Sequence, residues 1–181
     1  MMTVTNSTFS GNIANSADGG AIRNVGTLTI SNSTFSGNSA AGSGSGIVNF
    51  GTLTVTNDTF SGNTNADHGG GIDNNLARLS VTNRTFFGNS ATGGGGIFNN
   101  VAILKLKGTI LAGSTSGGNC GGGNFTDAGY RQLVRIQRNQ QEQYRRTARS
   151  CRTREQRWSD RDNRAARGQP ADRSNPGARL H

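Results

Sequence analysis

No apolar run in this 181-residue chain approaches the roughly 18 residues that a membrane-spanning helix needs, so no segment reads as one. The first twelve residues have neither a basic leader nor an apolar core, so they are no signal peptide. They open in the middle of a repeat, and the chain is therefore expected to be a piece of a longer protein or to carry a misplaced start. Cysteine is scarce: Cys120 and Cys151 have no metal-site spacing, and two cysteines cannot make a disulfide scaffold. Carboxylates are scarce too. Residues 1–130 hold five, Asp18, Asp58, Asp67, Asp73 and Asp127.

What is present divides sharply in two. The same five acids are balanced by Arg23, Arg78, Arg84, Lys105 and Lys107, so residues 1–130 carry no net charge. The formal charge of +9 lies wholly after Tyr130, where 14 arginines meet five acidic residues. Glycine is distributed the other way, with 26 of 28 before Tyr130. The basicity therefore belongs to the tail and says nothing about the folded part.

Before Tyr130 the chain repeats. Ile22, Ile47, Ile72 and Ile97 recur every 25 residues. Phe9, Phe35, Phe60 and Phe86 recur at 25 or 26, with Ile110 expected in the fifth place. Between them run Leu28, Leu53, Leu79 and Leu104, each followed two residues later by Ile30, Val55, Val81 or Leu106. Segments such as Thr27-Leu28-Thr29-Ile30-Ser31 alternate polar and apolar with β-branched residues outside, the mark of a half-buried strand. Glycine and asparagine clusters supply the corners between strands.

A hairpin meander would pair strands that neighbour each other in sequence. Identity at 25-residue intervals instead predicts that each strand pairs with its own copy one coil later. The expected fold is all-β: a right-handed parallel β-helix, a solenoid of about five coils of about 25 residues over 1–129, with a disordered Arg-rich tail over 130–181. Asn24, Asn49, Asn74 and Asn99 then form one stacked file and Asn12, Asn38, Asn63 and Asn89 another, able to bond as amide ladders. One coil cannot bury enough to order itself, so burial must be shared between neighbours. The glycine-rich corner after Ser-Gly-Asn varies in length and is the first place to look for contacts.

The motifs Gly-Gly-Ala-Ile (19–22), Gly-Gly-Gly-Ile (69–72 and 94–97) and Phe-Ser-Gly-Asn (9–12, 35–38, 60–63), with Phe-Phe-Gly-Asn (86–89), resemble the GGAI and FxxN repeats of the polymorphic outer-membrane protein family. Gly44-Ser45-Gly46-Ile47 departs by one residue. Residues 109–130 are similar to the last coil of large bacterial secreted β-helix proteins. The resemblance covers 3–130 and implies a secreted or outer-surface bacterial protein. Some relatives are autotransporter passengers or adhesins. Corner and core motifs report a fold and not an activity.

After Tyr130 the repeat stops within one residue. Reading one base later with permitted codons turns 155–160 into Asn-Asn-Gly-Gly-Pro-Thr, 167–173 into Gly-Gly-Ser-Pro-Leu-Ile-Asp and 132–134 into Asn-Leu-Ser. These resemble the segments that come after the last coil in those secreted proteins, so the tail is expected to be out of frame near Arg131. Its arginines could neutralise phosphate, but it shows no helix-turn-helix, zinc or RNA-recognition pattern, and no specific nucleic-acid role is assigned.

Polysaccharide lyases and hydrolases on this fold need clustered carboxylates. Asp58 and Asp127 occupy different coil positions. Asp67 and His68 with Asp73 form the one local cluster, read as turn-forming Asp and an exposed His. No catalytic, metal or cofactor residue is assigned. Asn-x-Ser/Thr at Asn6, Asn32, Asn57 and Asn83 is one repeat position and reflects a corner; Asn124 is the fifth such site. The pairs Thr3/Thr5, Thr27/Thr29 and Thr52/Thr54 stack outward, decaying to Ser80/Thr82 and Lys105/Lys107. Such arrays resemble ice-binding faces, yet β-branched residues on an exposed strand account for them.

The expected function is non-catalytic: a structural or adhesive surface fragment whose partner is a glycan or cell-surface protein. The alternative is a fragment of a carbohydrate-active β-helix enzyme lacking its catalytic coils. Uncapped end coils are expected to drive self-association.

Overall fold

The computed structural model describes residues 1–64, 66–123 and 125–127, the last three by backbone alone. The tail assigned above to 130–181 lies outside these residues. The described chain is a parallel β-solenoid of about five coils, with three sheets running along it. The Leu sheet comprises Met2–Thr5, Thr27–Ser31, Thr52–Thr56, Arg78–Thr82, Ile103–Lys107 and Phe125–Asp127. The Phe sheet comprises Thr8–Ser10, Thr34–Ser36, Thr59–Ser61, Thr85–Phe87 and Ile110–Ala112. The Ile sheet comprises Ile22–Asn24, Ile47–Asn49, Ile72–Asn75, Ile97–Asn100 and Cys120–Gly122. Every pairing is parallel and joins a strand to its copy in the next coil, as in Ile22↔Ile47↔Ile72↔Ile97. Crossovers between parallel strands of one sheet are right-handed almost without exception, which gives the coil its hand.

Stacking like on like builds the core. Phe9, Phe35, Phe60 and Phe86 lie ring over ring at 4.7 Å with planes within 7°, a separation that is the interstrand spacing itself. Leu28, Leu53, Leu79 and Leu104 and the Ile22 column close the other two walls. Both asparagine files form ladders. Asn24, Asn49 and Asn74 each donate through Nδ2 to the next Oδ1 at 2.7–2.8 Å. Asn12, Asn38 and Asn63 do so at 2.8–2.9 Å. Each buried amide thus satisfies its neighbour, the condition on which burying it depends.

The fifth coil departs from expectation. Phe86 is in register with Leu111, not Ile110, which pairs with Thr85 and faces outward. The shift follows from the corner before it. Asn6, Asn32, Asn57 and Asn83 hold left-handed backbone with φ from 49° to 58°, and Gly108 takes the equivalent place at 56°. Counting from that corner, Leu111 is the inward residue. Cys120 likewise takes the Ile97 place one coil on.

The corner between the Phe and Ile sheets carries short pieces of its own, Ile13–Ala14 with Ser39–Ala40 and Ala66–His68 with Ala91–Gly93. It lies tightly against the Ile sheet. Gly69 has a φ of 61°, and a Cβ there would collide with the backbone of Ile72 and Asp73. Glycine therefore lets this corner fold back over the outer side of its own strand.

The opposite corner, from the Ile to the Leu sheet, gains one residue in the third and fourth coils. Asn24-Val25-Gly26-Thr27 becomes Asn74-Asn75-Leu76-Ala77-Arg78. The added residue leaves Leu76 and Val101 in left-handed backbone, with φ of 52° and 46°.

Candidate functional site

The Leu sheet offers the broadest regular face. Its inward residues are buried, and its outward residues form columns: Thr3, Thr29, Thr54, Ser80 and Lys105 in one, Thr5, Ser31, Thr56, Thr82 and Lys107 in the next. Ladder spacing sets neighbours about 4.8 Å apart along the solenoid and about 6.7 Å apart along each strand. The result is a two-dimensional grid of hydroxyls on rigid backbone, turning cationic at Arg78, Lys105 and Lys107.

The cluster around Asp73 proves to be more than a turn. Asp18 bonds across coils: its Oδ1 accepts from Ser43 N–H at 2.7 Å. His68 is exposed and its ring lies against Phe98 at 4.2 Å. Asp73, however, is 3 % exposed, and its Oδ1 has no hydrogen-bond partner. Burial raises its carboxyl to about 6, against the pull of His68 and with a further push from Asp18. The cause is the folded-back glycine corner, which covers a side chain that strand alternation would send to solvent.

Residue-by-residue reading missed one pair altogether. Asp58 and Arg84 form a fully buried ion pair at 3.3 Å. Asp58 Oδ1 also accepts from Ser33 N–H at 2.5 Å, while Asp58 Oδ2 and Arg84 Nε lack hydrogen-bond partners. Desolvation raises the Asp58 carboxyl despite that hydrogen bond and the charge of Arg84, and it lowers the Arg84 guanidinium to about 10. The signal was available: both are the middle residue of Asn-x-Thr, in adjacent coils, so the repeat itself stacks them.

Among the described residues no three His, Cys, Asp or Glu side chains are placed to hold a metal ion. No helix among them is long and apolar enough to cross a membrane. Compared with known proteins, the chain matches no family model, no curated protein and no solved structure.

Proposed function

We propose that this chain is a segment of a secreted or outer-surface bacterial β-solenoid of the polymorphic outer-membrane protein type, with a structural or adhesive role and no catalysis. The observation that carries the reading is the hydroxyl grid of the Leu sheet. Its columns are held in register by backbone ladders on a rigid wall, and such a wall can present repeating hydrogen-bond donors and acceptors to a repeating ligand. A glycan chain or an extended segment of a cell-surface protein fits that presentation.

The test is binding of the 181-residue chain to a glycan array and to intact cells, wild type against Thr29→Lys/Thr54→Lys. Saturable binding lost in the double variant supports the reading. Equal binding by both proteins, or none by either, refutes it. Coil-end association belongs to the same proposal. Met2 and Ile13 of the first coil are largely exposed, at 59 % and 66 %, and their strands have a partner on one side only. Open edges of this kind pair with other chains, so light scattering is expected to show oligomers growing with concentration. A monomer throughout would contradict it.

A further inference from the structure

Nineteen described residues hold positive φ, and the chain fills seventeen of those places with glycine or asparagine. The two exceptions are Leu76 and Val101, at one corner in successive coils. Both choices run against local physics twice over. A Cβ strains left-handed backbone, worst for a β-branched residue such as Val101, and both side chains stand in solvent, at 73 % and 70 % exposure. Neither strain nor exposure contributes to the fold, since asparagine serves at the equivalent left-handed corner of the Phe sheet. Strain kept at an exposed position is a pointer to use.

The surroundings say what kind of use. Val25, at 65 %, and the half-buried Phe50 continue the same corner below, the latter with the Arg23 guanidinium 5.0 Å above its ring. Ile103, two residues past Val101, is exposed and pairs across to Arg78. Beyond it on the same face stand Lys105 and Lys107. A ridge of aliphatic side chains is therefore bordered by the cations Arg78 and Lys105. A glycan has no use for protruding leucine and valine. The interface of an anionic bilayer uses both halves: aliphatic tips enter the acyl boundary while cations meet the phosphates.

We propose that the Leu76–Val101 ridge, with Ile103, Arg78 and Lys105, docks the solenoid on an anionic lipid surface. The adhesive role is a separate matter, and either can stand without the other. The ridge would lie along the membrane, with the hydroxyl grid alongside it.

The test uses the full chain with vesicles of phosphatidylglycerol and phosphatidylcholine at high salt, which screens attraction by the Arg-rich segment. Leu76→Asn/Val101→Asn is expected to lower partitioning about tenfold, the loss from withdrawing two partly inserted aliphatic groups. The same variant is expected to hold or raise the thermal midpoint, because asparagine accepts left-handed backbone, so a folding defect cannot mimic the result. In a Trp158→Phe background, Val101→Trp should show blue-shifted emission and quenching by brominated acyl chains. Unchanged partitioning of the double variant, or an unshifted indole on vesicle-bound protein, overturns the proposal. So does protection of that indole by soluble polygalacturonate without vesicles, which would assign the ridge to an acidic glycan.

Discussion

Two columns share the same coils and behave in opposite ways. In the Asn12–Asn38–Asn63–Asn89 file Asn38, Asn63 and Asn89 are each both donor and acceptor, so each successive coil satisfies the one before it. In the column Ser7, Ser33, Asp58, Arg84, Thr109 the residue changes at nearly every step. There a buried charge pair is joined by one contact at 3.3 Å and leaves polar atoms without hydrogen bonds. Parallel stacking multiplies whatever it is given. A self-complementary side chain makes a ladder of any length, whereas a charged one needs an opposite neighbour and cannot extend by repeating itself.

The largest effect expected from breaking this contrast is Asp58→Ala. It leaves Arg84 buried without its counter-ion and should cost about 3–5 kcal/mol in denaturant unfolding. Asp58→Leu/Arg84→Met should recover most of that loss, since burying a charge pair seldom outperforms apolar packing. A double variant no better than the single would show that the pair is a true stabiliser. Asn63→Leu should cost about 3 kcal/mol, because it removes the Oδ1 that accepts from both Asn38 N–H and Asn38 Nδ2, and the Nδ2 that donates to Asn89 Oδ1 and the Phe35 carbonyl. No single compensating change should restore it, as the file has partners on both sides. Full rescue by Asn38→Leu would refute that distinction.

Asp73 sharpens the comparison through pH. Its folded value of about 6 stands above the ordinary 3.8, so the folded chain holds this proton more tightly than the unfolded one. Stability from this group is complete below about pH 4 and is lost as pH rises through about 6, by up to about 3 kcal/mol. Asp58, also raised, acts in the same direction. Urea midpoints should therefore fall from pH 4 to 7 in the wild type and flatten in Asp73→Asn. A midpoint that climbs over that window would overturn the buried reading of Asp73. The smallest effect is expected at the strained corner, where Leu76→Gly should stabilise by about 1 kcal/mol through release of left-handed strain.

The architecture was legible because a solenoid writes its contacts into its own period. Ile47 lies between Ile22 and Ile72 as their spacing says, and both amide ladders followed without further information. Ile110 misled because Thr109-Ile110 imitates Thr-Phe, while the deciding left-handed corner is asparagine in four coils and Gly108 in the fifth. The Asp58–Arg84 pair was written in the same register but is visible only when unlike residues are stacked deliberately.

By itself, then, the sequence determined the coil length, the inward columns of the first four coils and their asparagine corners, since each depends only on residues repeating at a nearly constant interval. Tertiary structure alone decided that Asp73 is buried and that Leu76 and Val101 stand out in solvent. Those outcomes depend on how a corner folds against a neighbouring strand, and one residue more or less in that corner reverses which side chains water can reach.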